Sequence, residues 1–251
     1  MDKLKNKIQI YRNYFNLYIS QESFKYFYIY TIIITIYGGL LIKQETNIIS
    51  GIPNLFKFST FLLCYYTLII LNSMSLNNFY ENMMTFYNIR KGSKKSVLKS
   101  KIFITIIVNL YYNLIIYLLL ITFVSFFSGG NINNVTYHNY DISNYTYLFY
   151  IIIRNIIITT FISIINITLY EKIKLKCIVI DVLFLLGIII NPIKNNLKLS
   201  INIFEVVKVS NFNNIKYDIG TTIICLLILS LMEIILFKII YREKKDEIPD
   251  Y

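Results

Sequence analysis

Three charged side chains stand inside otherwise apolar runs of this chain: Arg154 in YIIIRNIIITT, Asp181 in CIVIDVLFLL and Glu233 in ILSLMEIILF. A charge at the centre of a hydrocarbon-spanning helix costs about 2.5–3.5 kcal/mol or more, so each of these is a functional candidate by default. Asn109 and Asn113 join them at a spacing of four, which puts two amides on one face of a helix. Amides so placed either bond a neighbouring helix or meet a polar solute. Other chemistries are thinly provided. The single histidine, His138, cannot supply an HExxH motif or a paired-histidine metal site, and no Gly-x-Ser-x-Gly context accompanies it. Transfer to a lipid alcohol needs several spaced aspartates near one membrane face, and only Asp181 is available inside. Cys64, Cys177 and Cys225 lie far apart, in or at the edge of apolar blocks, and read as small hydrophobes rather than metal ligands or a disulfide framework. The glycine pairs at 38–39 and 129–130 lack the following lysine that a phosphate cradle needs. No metal, cofactor or ATP site of the chain's own is therefore expected, and an enzyme is disfavoured.

The elements that must position these residues are legible as blocks. Of 251 residues, 56% are hydrophobic and only 16% charged, with a mean hydropathy of +0.55. A soluble domain carries about a quarter charged residues. Spanning about 30 Å of hydrocarbon takes about 20 apolar residues in a helix, and six such blocks lie at about 24–42, 57–76, 102–127, 147–169, 174–191 and 219–240. The expected fold is therefore an all-α integral membrane domain over residues 1–251, with six transmembrane helices. The fifth is the weakest, since its apolar run is short, contains Asp181 and stops at Asn191-Pro192. No span shows a repeated polar stripe, which speaks against a simple channel.

Orientation follows from lysine and arginine. With the N-terminus in the cytoplasm, 18 of the 25 basic residues fall on the inner side and six outside, with Arg154 within a span. Both termini are expected to be cytoplasmic. The net charge of +11, which in a soluble chain would read as a nucleic-acid signal, is explained by this asymmetry, and no nucleic-acid partner is expected. Heavy use of Ile, Asn, Lys and Tyr fits an AT-rich bacterial genome and a bacterial cytoplasmic membrane.

Depth along the spans sorts the charged candidates. Arg154 lies about 10 Å below the outer surface at 1.5 Å per residue, where it either snorkels to outer headgroups or faces a cavity. Asp181 and Glu233 lie nearer the inner ends, where they pair with Lys172, Lys174 or Lys238 or meet substrate. Ahead of the first span, Leu4, Ile8, Tyr11, Phe15 and Tyr18 recur at helical spacing, the pattern of an amphipathic helix lying at the interface rather than a cleavable signal. The outer 191–218 segment contains LKLSINIFEVVKV, apolar enough to dip into the outer leaflet.

The densest basic run is FYNIRKGSKKSVLKSKI, residues 86–102, with six basic residues between Arg90 and Lys101 and no acid among them. Before it, Phe79, Met83, Phe86 and Ile89, or alternatively Tyr80, Met84 and Tyr87, stack at three- and four-residue spacing as a short amphipathic helix. Gly92 ends that helix, and Ser93 caps the next. This stretch resembles bacterial ABC-transporter permeases of the type-2 exporter class, in which an Arg-x-Gly-Ser-basic-Lys stretch leads into the third of six spans. The layout is similar over most of the chain, the motif over about 15 residues. Val97 or Leu98 stands where the family pattern often has an aromatic.

The resemblance implies a coupling helix between spans two and three, carrying Phe79, Tyr80, Met83, Phe86 and Tyr87 into a groove of a cytoplasmic ABC ATPase, followed by Arg90, Lys91, Gly92 and Ser93. It further implies ATP bound by that partner subunit, a second permease half, membrane-lipid contacts, and outward movement of an amphipathic or hydrophobic cargo such as an antimicrobial peptide. Two other readings stay open: a positive-inside loop with no partner, and a non-transporting sensor, assembly or immunity subunit.

Overall fold

A computed structural model of the chain describes residues 12–13, 15–42, 48–56, 58–87, 94–127, 144–173, 175–194 and 215–245. Among them every regular element is helical. The long helices are α1 (Glu22–Leu41), α2 (Ile48–Leu55), α3 (Ser59–Tyr87), α4 (Lys94–Phe127), α5 (Asn144–Ile173), α6 (Leu175–Lys194) and α7 (Ile215–Lys245). Four contain a stretch long and apolar enough to cross a membrane: Phe24–Leu41, Ser59–Glu81, Ser100–Phe126 and Tyr145–Tyr170. In α6 and α7 the apolar stretches are shorter, Cys177–Gly187 and Thr222–Ile235. Their outward faces, such as Ile29, Ile33 and Ile36 on α1, Leu110, Leu114 and Leu118 on α4, and Phe149, Ile153 and Ile157 on α5, are exposed and apolar. Continuous apolar faces of this kind belong against lipid rather than water. The chain has the make-up of a multi-pass helical membrane protein.

Contacts fix the direction of each helix. Tyr28 and Tyr111 share a hydroxyl–hydroxyl hydrogen bond of 2.6 Å, and Gly38 abuts Leu120, so α1 and α4 run parallel. Tyr37 donates to Thr60 at 3.0 Å and Tyr18 to Asn72, so α3 returns antiparallel to α1. Asn109 meets Thr159 while Tyr117 meets Asn155, making α4 and α5 antiparallel. Asn166 meets Asp181 across the turn into α6, and Arg154 meets Thr222 near the start of α7. Leaving aside the short α2, each helix from α1 to α6 thus reverses the one before. α5 is the hub, packing against α2, α3, α4, α6 and α7.

Three expectations are corrected. The short helix foreseen after span two is not a separate element. α3 continues without a break to Tyr87 because neither glycine nor proline interrupts Ser59–Tyr87. Its first two foreseen anchors also turn inward. Phe79 stacks edge-on to Tyr18 at 5.6 Å, and Tyr80 lies beneath the Lys101 ammonium, 5.5 Å from its ring centre. Both are buried, as is Lys101, the last of the six cations in the basic run.

The connection after α1 contains α2, IISGIPNL, whose Ile52 and Leu55 are fully buried together with Phe56. Here α1 comes close to its neighbours at a glycine. A Cβ on Gly38 would stand 2.9 Å from a Phe61 ring carbon, 3.1 Å from Leu120 and 3.3 Å from Leu55.

At the N-terminus Tyr18 is not at a lipid interface but in the core. It packs edge-on to Phe24 and donates to the Asn72 side chain at 2.6 Å. Burial pushes its ionisation well up, which keeps it a neutral donor. Leu4, Ile8 and Tyr11 lie outside the described residues, as does the 197–209 segment.

Candidate functional site

The polar side chains collect on the face of α5 turned towards α3 and α4. Asn155, Thr159, Ser163 and Asn166, spaced by four, four and three residues, form one stripe on that helix, all 0–2% exposed. The expectation that no span carries a polar stripe is overturned. The period was present in the letters, but the intervening residues are nearly all isoleucine, and the run reads as a uniformly apolar block until the helix is given a rotation.

Around Thr159 the stripe meets α4. Asn109 donates from Nδ2 to the hydroxyls of Thr159 and Thr160, at 3.1 and 2.8 Å. Asn113 donates to Thr159 at 3.1 Å and to the Asn109 carbonyl at 2.8 Å, and its own Oδ1 accepts from the Tyr65 hydroxyl of α3. One turn earlier on α5, Asn155 donates to the Tyr117 hydroxyl at 2.8 Å. Both asparagines of α4 thus bond a neighbouring helix, the first of the two readings open for them.

Towards the start of α5, the Arg154 Nε donates to the Thr222 hydroxyl of α7 at 3.1 Å, and Tyr66 of α3 lies within its field. Arg154 is buried within the bundle rather than exposed on its surface.

Towards the other end, Asn166 donates from Nδ2 to both carboxylate oxygens of Asp181, at 2.7 and 2.8 Å, and the Cys177 thiol lies 3.9 Å from one of them. The partner foreseen for Asp181 was a lysine, and the partner found is an amide. The Lys172 and Lys174 side chains lie outside what is described. Glu233 is half-buried and shares a face of α7 with Thr222 and Leu226, the face applied to α5. The structure does not bring Arg154, Asp181 and Glu233 into one cluster: Arg154 and Asp181 lie at opposite ends of the stripe.

Several polar atoms in this seam find no protein partner among the described residues: Asn109 Oδ1, Asn155 Oδ1, Ser163 Oγ, Asn166 Oδ1, both side-chain atoms of Asn77, and the Tyr66 hydroxyl. A buried donor or acceptor left unmade costs about 1–3 kcal/mol, and hydrocarbon offers no relief.

Of the foreseen coupling residues, Met83, Phe86 and Tyr87 lie on the last turns of α3, whereas Arg90, Lys91, Gly92 and Ser93 fall outside the described residues. No group of three or more metal-ligating side chains occurs among the described residues. No family model matches the chain, nor does any curated protein or solved structure.

Proposed function

We propose that the chain is the membrane permease subunit of an ATP-driven exporter. It would move an amphipathic or hydrophobic cargo outward across the bacterial cytoplasmic membrane, powered by a separate ABC ATPase and working beside a second permease half. The observation that carries this reading is the length of two helices. α3 has 29 residues and α4 has 34, about 44 and 51 Å at 1.5 Å per residue, against about 30 Å of hydrocarbon. The excess lies at one end of the pair, over 82–87 and 94–99, beyond the apolar stretches Ser59–Glu81 and Ser100–Phe126. These helix ends flank the basic run in sequence, so the positive-inside rule puts them in the cytoplasm. Helix ends that reach beyond the bilayer, with Met83, Phe86 and Tyr87 in the last turns of α3, suit a groove on a soluble partner.

The alternating helix directions support six spans, with α6 and α7 crossing as the fifth and sixth. Phe79 and Tyr80 leave the coupling set, because they pack inward against Tyr18 and Lys101. Arg154, Asp181 and Glu233 act from within the bundle by fixing α5 to α7 and α6.

The test is a mild-detergent pull-down of the tagged chain from its native host. A co-purifying P-loop ATPase is expected, with its yield lowered by Phe86→Ala combined with Tyr87→Ala while membrane insertion is unchanged. Recovery without any ATPase would refute the exporter reading in favour of a sensor or assembly role.

A further inference from the structure

The stripe on α5 does more than glue helices together. Polar residues that serve only as helix–helix adhesive are satisfied by one another, as Asn113 is by Tyr65, Thr159 and the Asn109 carbonyl. Within the stripe Thr159 is likewise satisfied, by Asn109, Asn113 and the Asn155 carbonyl, but the other three members are not. Asn155 and Asn166 each use the amide nitrogen and leave the buried oxygen without a protein partner. Ser163 is the sharper case. Buried hydroxyls elsewhere in the bundle turn back to a carbonyl one turn earlier: Thr31 to Phe27, Ser73 to Ile70, Thr105 to Lys101, Thr168 to Ile165. Ser163, 2% exposed, makes no such bond.

On the facing helix, Tyr66 and Asn77 are equally buried and equally short of partners. The 3.1 Å bond from Tyr170 to Asn78 fixes the register of α3 on α5, placing Asn77 level with the inner part of the stripe. From Arg154 to Tyr170 the seam measures about 24 Å at 1.5 Å per residue, most of the thickness of the hydrocarbon layer. α3 and α4 touch each other little and each packs on α5, so the seam runs where three helices meet.

We infer that the α3–α4–α5 junction holds internal water at Asn155, Ser163 and Asn166, on either side of the satisfied Thr159 and ending at the Tyr170–Asn78 pair on the basic side. Water is the ligand that matches a row of neutral donors and acceptors too far apart to satisfy one another, since each molecule bridges two to four polar groups. An exchangeable partner also lets α3 and α4 shift along α5 without leaving bonds unmade in hydrocarbon. The inference rests on the membrane-spanning part of the function proposed above and not on the ATPase.

Radiolytic hydroxyl-radical footprinting of the intact chain in membranes tests it, because radicals form wherever water sits. Tyr66 and Tyr117 are expected to oxidise several-fold faster than Phe56 and Phe61, which are as deeply buried but carry no polar atom to hold water. Equal, slow oxidation of all four overturns the inference. A second reading uses a variant lacking the three native cysteines. Ser163→Cys is expected to react with aminoethyl methanethiosulfonate, which attacks the thiolate that only a hydrated site supports, whereas Ile157→Cys on the lipid face is not. Equal inertness of the two overturns it as well. Ser96→Cys and Asn133→Cys report insertion separately. Labelled from opposite sides, they mean that a dry seam defeats this inference alone; labelled from the same side, they defeat the spanning arrangement and the seam together.

Discussion

At the scale of residues, the buried pair Asn166–Asp181 shows how a carboxylate inside an apolar bundle is met by a neutral amide. One amide nitrogen serves both carboxylate oxygens, and the Cys177 thiol adds a weaker contact. Asn166→Leu should therefore cost at least about 1–3 kcal/mol, the penalty of a buried acceptor left unmade, and more where the acceptor is charged. Replacing both residues by leucine should restore most of it, because neither polar group is then stranded. Circular-dichroism melting of the single and double variants in detergent measures this. A single variant as stable as Leu183→Ala on the exposed face would show that the pair carries no strain. The letters gave away only part of this. Asn109 and Asn113 announce themselves by spacing, and so do the three charges by contrast with their surroundings. Which neighbour each would find depends on helix rotation, and that is set by packing between segments far apart in sequence.

At the scale of elements, α2 and the tail of α3 were the hardest to foresee, for opposite reasons. The segment IISGIPNL contains a glycine and a proline, which locally argue for a turn, yet tertiary burial of Ile52, Leu55 and Phe56 holds it helical. The α3 tail reads as a short helix of its own, but nothing in it breaks a helix once α3 has started. Gly38 is where α1 meets α2, the start of α3 and α4, and its role is steric. Gly38→Ala should destabilise by about 1–3 kcal/mol through overpacking against the Phe61 ring, outweighing the gain of about 1 kcal/mol in helix propensity. Gly220 supplies the control. A Cβ there meets nothing within 4 Å, so Gly220→Ala should be neutral or stabilising by up to about 1 kcal/mol. Melting midpoints of the two variants in one detergent decide the matter; equal shifts would mean that the close crossing at Gly38 is absent in solution.

At the scale of the whole molecule, the membrane character was legible from composition and block length alone, whereas the number of crossings turns on α6 and α7. Their apolar stretches, Cys177–Gly187 and Thr222–Ile235, are shorter than a bilayer needs, and Asp181 and Glu233 interrupt the hydrophobicity that a sequence window sums. Packing compensates for what hydropathy lacks. Asp181 is turned to Asn166 and Thr222 to Arg154, and α6 continues the alternation of direction that the first four long helices establish. If both cross, a reporter fused after Asn196 lies outside and one fused after Tyr251 lies inside. Alkaline phosphatase, which needs the oxidising exterior for its disulfides, should then be active after Asn196 and inactive after Tyr251, and a cytoplasm-dependent fluorescent protein should give the reverse. Inactive phosphatase at both positions would instead mean four crossings, with α6 and α7 lying along the inner surface. In that case Arg154 could not share a depth with Thr222 as the bundle has it, so this fusion experiment also tests whether the polar seam has a wall on its α7 side.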